Sequence, residues 1–457
     1  TGEIAPADEL VPEMLELGVR AARICPTTHG FPLTDDVCGT LLAMLQERRI
    51  PLFVDAGELG IEAAADLCGR YPELPVALCG VPWGQDRRLL PALTRAPNLY
   101  IETHAFFGHR AYERFMERFG AERLIFGTGL PDLSPGAAMM MSLYEDISDE
   151  DRAAIAGENL LRLLNDVRTD RPSPVEELMP CATRDDDDAI VSCLRVGEPL
   201  RDEFVFDAHG HIGHEELMGT AEWCAPRADA DQLVRTMDRL GVDRSFVSSF
   251  AGLMSGDPAA NDITLAAVAR HPGRLLGYAC INPRYPEVMR RELDRVAAGG
   301  LRGDRKRLLL IQNSHLDARH RPILEWCDRE GLAVLCHGWT AGPQYVTPAD
   351  LDVLAPMYPG AKFLSAHTGG CWEFAEALAP VARGHPNIYA EVTYPDVNYG
   401  MIEYLVREVG ADRVVFGSDG LLIDPAPQLG WVAWARISVE DKRRVLGLNM
   451  ARLTGRG

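Results

Sequence analysis

The chain has 457 residues, and its acidic residues outnumber the basic ones to a formal net charge of −21. That length exceeds one ordinary core and suits two domains, while the acidic balance argues against a nucleic-acid or anionic-membrane partner. A content of 47% hydrophobic and 25% charged residues is that of a globular chain; no apolar run reaches the length of a membrane span, and the first residues show no basic-then-apolar leader.

In chain order, residues 1–168 come first, with an initial strand expected at Ala21–Cys25. Their later part repeats the end of the chain block by block. Asn98-Leu-Tyr-Ile-Glu-Thr parallels Asn387-Ile-Tyr-Ala-Glu-Val, Gly120-Ala-Glu-Arg-Leu-Ile-Phe-Gly-Thr parallels Gly410-Ala-Asp-Arg-Val-Val-Phe-Gly-Ser, and Ile147-Ser-Asp-Glu-Asp parallels Ile437-Ser-Val-Glu-Asp. Asn159 then follows as Asn449 does. A near-constant offset over separate blocks predicts a tandem duplication in which residues 1–168 hold the last five strands of a degenerate barrel copy. Because the front of that copy is missing and the first residue is Thr1, roughly 90 further residues are expected upstream, judged from the usual barrel size. Residues 169–202, with Pro172, Pro174, Pro180 and the acidic run Asp185–Asp188, read as a linker with a short helix near Ala189–Arg195.

From residue 203 onward, short apolar runs alternate with segments of helical pattern. The expected strands are Phe204–Asp207, Arg244–Ser248, Leu275–Cys280, Leu308–Gln312, Ala333–Cys336, Lys362–Ser365, Asn387–Glu391 and Arg413–Phe416. Helices are expected at Asp229–Leu240, Pro322–Glu330, Trp372–Arg383 and Tyr399–Val409. This alternation predicts an α/β fold, a (β/α)8 TIM barrel over residues 203–457, and the continuously apolar strands suit a parallel sheet buried on both faces. The rival, a doubly wound open sheet, would offer a Gly-rich phosphate loop after its first strand, and the sequence has none.

The chemistry gathers at strand ends. The first strand closes with Asp207-Ala208-His209-Gly210-His211, and residues two apart in a strand face the same side, so His209 and His211 can share one metal ion. The fifth strand ends at His337, the sixth at His367 and the eighth at Gly417-Ser418-Asp419. In a barrel all C-terminal strand ends open on one pocket, and imidazoles with a carboxylate suit Zn²⁺ and related ions. Asp207 alternates to the opposite face and could only support the site; His214 reads as a loop residue. Arg284, in Asn282-Pro283-Arg284, could bind a substrate carboxylate, and Trp339, Trp372 and Tyr394 could line an aromatic cavity.

This constellation resembles the amidohydrolase superfamily, specifically its amidohydrolase-related branch, which also contains nonoxidative decarboxylases of the aminocarboxymuconate-semialdehyde type. The resemblance spans about Glu203 to Gly457 and rests on D-x-H-x-H, His337, His367 and the G-S-D ending at Asp419. It implies metal ligands at His209, His211, His337 and Asp419, with His367 as the catalytic histidine and Asp419 also moving a proton. Many members hold two metals bridged by a carboxylated lysine at the fourth strand end. Here that strand ends Leu310-Ile311-Gln312-Asn313 with Lys306 before it, so one divalent metal is expected: Zn, with Mn or Fe as alternatives.

The expected activity is metal-dependent hydrolysis of a C–N or C–O bond in a small molecule by a metal-activated water. The alternative is nonoxidative decarboxylation of an aromatic or unsaturated acid, and a third reading is a noncatalytic binding protein. The partner is then a small-molecule substrate, with a homo-oligomer allowed. Eleven cysteines lack C-x-x-C spacing, and several (Cys79, Cys280, Cys336) sit in apolar runs; they read as buried thiols of a reducing compartment, placing the protein in the cytoplasm. In the first copy, Asp55, Gly80 and Gly129 stand where His337, His367 and Asp419 stand in the second, and His104 and His109 fall outside ligand positions. The first copy is therefore expected to be noncatalytic.

Overall fold

The computed structural model describes residues 5–169, 188–213, 218–219, 224–225, 228–255, 259–281, 285–295, 308–311, 318–342 and 345–455. They fall into two compact units, one mainly Thr1–Gly129 with Glu145–Asp185, the other mainly Leu130–Tyr144, Asp186–Gly219 and Ala225–Gly457.

The first unit carries a five-stranded parallel sheet: β1 (Ala22–Ile24), β2 (Leu52–Asp55), β3 (Val76–Cys79), β4 (Leu99–Glu102) and β5 (Leu124–Ile125), adjacent in chain order. Parallel neighbours need a crossover, and amphipathic helices supply it, as with Ile61–Arg70, which buries Ile61, Ala64, Leu67 and Cys68 between β2 and β3. Asn98 precedes β4 and ties the crossover down, its Nδ2 donating to Leu74 O at 2.7 Å and Tyr71 O at 3.0 Å. Asn159 Nδ2 does the same at β5, donating to Ala121 O and Leu124 O, both at 2.9 Å.

The second unit is a TIM barrel. Its strands are β6 (Phe206–Ile212), β7 (Arg244–Ser249), β8 (Leu275–Cys280), β9 (Leu308–Ile311), β10 (Ala333–His337), β11 (Lys362–Ala366), β12 (Ile388–Val392) and β13 (Val414–Phe416), all in parallel register with their sequence neighbours. Closure follows β13: Asp419 N donates to His209 O at 2.7 Å, His211 N to Gly420 O at 2.5 Å, and Leu421 N to His211 O at 3.2 Å. A closed sheet leaves no edge. This pairing also explains why β6 runs past Asp207, where the apolar pattern stops, through the histidines to Ile212. Inside the barrel Phe206, Phe246, Tyr278, Leu335, Leu364 and Val415 pack together. Asn387 and Asn449 repeat the ties of the first unit: Asn387 Nδ2 donates to Ala355, Tyr358 and Ala361 carbonyls at 3.1 Å each, and Asn449 Nδ2 to Ala411 O at 2.7 Å and Val414 O at 2.8 Å.

Two earlier segments are built into this unit. Helix α1 (Pro135–Tyr144) crosses α2 (Pro425–Ala433) so closely that a Cβ on Gly136 would lie 2.6 Å from Gly430 O, which only glycine permits. Ahead of α1, Ser134 N donates to Val397 O at 2.8 Å, and Tyr399 N donates to Asp132 O at 2.9 Å. The short helix Ala189–Arg195 forms where the sequence places it. Asp188, the last of the acidic run, caps it by accepting from Ile190 N at 3.0 Å and Val191 N at 3.2 Å, and also pairs with the buried Lys442. Among the described residues no helix is long and apolar enough to cross a membrane.

Candidate metal centre

Strand β6 is buried along its whole length, and its period of two sends His209 and His211 to the same side. Their Nε2 atoms lie 3.1 Å apart, and Asp419 Oδ1 lies 2.8 Å from His211 Nε2 and 3.6 Å from His209 Nε2. Each histidine faces a further oxygen across its Nδ1: His211 Nδ1 is 2.9 Å from Ser248 Oγ, and His209 Nδ1 is 3.5 Å from Glu391 Oε2. With the Nδ1 protons turned to those oxygens, both Nε2 atoms present lone pairs to one another and to a carboxylate oxygen. Asp419 Oδ1 is itself buried with no hydrogen-bond partner. Three electron-rich donor atoms converging in a dry place call for a cation, and imidazole nitrogens with a carboxylate fit a divalent transition metal.

With no cation between these groups, a proton on His209 takes the place of the positive charge. Burial opposes a charge on His209, but Glu391 and Asp419 outweigh it and push its pKa up to about 9. Asp419, despite burial, is held well below the usual carboxylate range by His209, His211 and His367. Burial lowers His211 and His367, and pushes His337, beside His367, down to about 3. These last three imidazoles are therefore neutral near pH 7.

His209, His211 and Asp419 form one group whose donor atoms all lie within 4.8 Å; His209, His367 and Glu391 form a second that meets the same limit. His337 joins neither; its ring stands against His367 with centroids 4.9 Å apart, and against Tyr345 at 5.0 Å. His367 thus sits between His209 (5.1 Å) and His337. Both His367 and Asp419 have left-handed backbones, φ 62° and 56°, a conformation that costs an L-residue about 1–2 kcal/mol and concentrates at functional sites.

Trp339 and Tyr394 stack with ring centroids 5.2 Å apart, and Tyr394 also meets the edge of His367 at 5.8 Å. Gly370 makes room for them, since a Cβ there would lie 2.7 Å from Trp339 and 3.0 Å from Tyr394. Trp372 is different: it is partly exposed and packs on Tyr404 at 5.6 Å, away from the aromatic pair. Arg284, His214 and Lys306 lie outside the described residues. Asp207 is fully buried and holds the barrel closed, accepting from Ser418 N at 3.0 Å, Ser418 Oγ at 2.6 Å and His209 N at 2.9 Å; burial pushes its pKa up to about 7.

Glu391 was not among the sequence candidates. The available signal was its counterpart Glu102 in the repeated block, together with its place at a strand's C-terminal end.

One family model, described as amidohydrolase, matches residues 3–165 and 206–456. The chain belongs to the amidohydrolase family. It is an enzyme of a metal-dependent family, and the donor set above could hold a divalent ion. No curated protein sequence matches it. Among solved structures it is similar to 2,6-dihydroxybenzoate decarboxylase from Rhizobium, at 16% identity and a TM-score of 0.43 over 55% of this chain and 99% of that one. It is similar also to a dihydroxybenzoic acid decarboxylase from Polaromonas with bound manganese and the inhibitor 2-nitroresorcinol, at 19% identity and a TM-score of 0.44 over 55% and 97%. A third is an amidohydrolase from Burkholderia multivorans with bound zinc, at 14% identity and a TM-score of 0.42 over 55% and 99%.

Proposed function

We propose that the second unit of this amidohydrolase is a metal-dependent decarboxylase of a planar, aromatic carboxylic acid, and that His209, His211 and Asp419 hold its metal, with His337 completing the set. The observation that carries this reading is the aromatic wall of Trp339 and Tyr394 beside His367: a flat, apolar slot next to a buried imidazole and a cation site suits an aromatic ring bearing a charged group. Bound there, a divalent ion supplies charge neutralisation and Lewis-acid polarisation of substrate oxygens.

The chain's own residues then handle the proton. His367 Nδ1 lies 3.2 Å from Thr393 O, a carbonyl that can only accept, so Nδ1 keeps its hydrogen and Nε2 is the titrating atom. Burial keeps Nε2 unprotonated in the free site; an anionic substrate arriving beside it favours the imidazolium. From there Nε2 delivers its proton to the ring carbon that bears the carboxylate. The C–C bond to the carboxylate then breaks, its electron pair returns to the ring, and CO₂ leaves. His367 is left neutral and regains its proton from water. Trp339 and Tyr394 hold the ring plane and exclude solvent while this occurs.

Hydrolysis of a C–N or C–O bond is the second reading. Asp419, whose Oδ1 stands beside His211 and His209 at the cation site, favours it by position, because a carboxylate there is placed to accept a proton from water. The first unit is read as noncatalytic. A screen of the manganese- or zinc-loaded chain that follows both CO₂ release and ester, lactone and amide cleavage separates the alternatives. Release of CO₂ from aromatic acids alone is the expected result; cleavage without CO₂ release would replace this reading with hydrolysis.

A further inference from the structure

Glu391 stands out. It is a completely buried carboxylate to which neither the composition nor the proposed proton transfer assigns a role. Its Oε2 accepts from His367 N at 3.0 Å and faces His209 Nδ1 at 3.5 Å. Its Oε1 takes the hydroxyl of Thr393. The following strand makes room for it, because any Cβ on Gly417 would collide with Glu391 Oε1. One carboxylate therefore touches the far side of a proposed metal ligand and the backbone of the proposed proton donor, and a threonine fixes its own orientation.

We propose that Glu391 is a positioning residue that sets the tautomer and ring direction of His209 and holds the left-handed turn at His367, with Thr393 orienting the carboxylate. This rests on His209 being a metal ligand. The physical reason is general. An imidazole binds a metal through one nitrogen and is aimed by what its other N–H meets, and a carboxylate there raises its basicity. Here the same oxygen also receives the amide that starts the strained turn, so ligand and proton donor are fixed relative to one another by a single group.

A purely structural role is the alternative. In the first unit Glu102 fills the space beside Gly127 as Glu391 does beside Gly417, although Asp55, Gly80 and Gly129 stand there at the positions aligned with His337, His367 and Asp419. A glutamate there could serve only to pack the strand ends. Metal affinity at unchanged fold separates the two roles.

The test uses the full chain and the metal ion alone. Mn²⁺ or Zn²⁺ affinity is measured by chelator competition, with the visible spectrum of the Co²⁺-loaded protein as a second readout and thermal unfolding of the metal-free protein as the control for folding. Glu391→Ala is expected to weaken metal binding about 10–100-fold and to shift the Co²⁺ bands. Glu391→Gln, whose amide oxygen can accept from both N–H groups while its NH₂ meets Thr393, should lose less than Glu391→Ala. Thr393→Val should lose less again. His209→Ala should abolish binding. If Glu391→Gln and Thr393→Val fold and bind within about twofold of the parent, with Glu391→Ala either equally tight or unfolded, the packing role stands and the proposal falls. If His209→Ala itself leaves binding unchanged, the ligand assignment fails and this proposal falls with it, a result distinct from loss at His209 alone.

Discussion

The two units place left-handed residues after strands that align in sequence, and differ in the side chains those residues carry. The first residue after β11 is His367 and the first after β3 is Gly80; both are left-handed, at φ 62° and 64°. Asp419 and Gly129 occupy the same place after β13 and β5, at φ 56° and 68°. Glycine adopts this region freely, whereas histidine and aspartate do so at a cost. At these two positions, the ones proposed to move a proton, the second unit thus bears strain that the first does not. In the first unit the space beside Gly80 is occupied. A Cβ on Gly80 would lie 2.7 Å from Asp55 Oδ2 and 3.1 Å from His104 Nε2, and His104 Nδ1 is bonded to Glu102. Glu102 raises the His104 pKa against the effect of burial. A metal-poised cluster on one side corresponds to an internal ion pair on the other.

The largest effect expected from this contrast is on turnover. His367→Ala should lower the rate of the active reaction about 10²–10⁴-fold, the usual worth of a general acid or base, while metal content stays near that of the parent. Steady-state kinetics with elemental analysis checks both. Loss of metal as complete as in His209→Ala would make His367 a ligand, which its grouping with His209 and Glu391 allows geometrically.

Next in size is Gly80→Ala in the first unit. The added Cβ meets Asp55 and His104 and must take a positive φ, so a destabilisation of about 1–3 kcal/mol is expected, read as earlier hydrogen exchange in β2–β4 with turnover unchanged. A smaller effect should appear at the matching position of the second unit. There His367→Gly should be more stable than His367→Ala by about 1 kcal/mol, although both are inactive. Equal denaturation midpoints for those two variants would show that the left-handed turn is not strained and would remove the basis of the contrast.

Much of this was legible in the sequence. An H-x-H at a strand end puts two imidazoles on one face because strand geometry leaves no choice, and His367 and Asp419 follow apolar runs that barrel topology brings together. Glu391 was harder to see. A glutamate ending a strand has the same local pattern whether it meets solvent or His209, and only the packed barrel puts Oε2 beside the imidazole. The offset of His337 from the close trio depends on ring orientation, which no spacing specifies. Trp372 follows a strand end as Trp339 does, yet the helix it starts turns it toward Tyr404. The membership of Pro135–Tyr144 in the second unit was hidden for a similar reason: its apolar run gives a helix, and the Gly136–Gly430 crossing appears only when the helices meet.

One cation site, built on His209, His211 and Asp419, is proposed to make the second unit an enzyme. Because His209 belongs to both possible donor groups, two ions could occupy them together only by sharing its ring. Equilibrium binding of Mn²⁺ or Zn²⁺ to the full chain, counted by elemental analysis after removal of free metal, tests this most directly. About one equivalent per chain that disappears in His209→Ala and in Asp419→Ala is the predicted result. Two tightly held equivalents, or one that survives both substitutions, would contradict it.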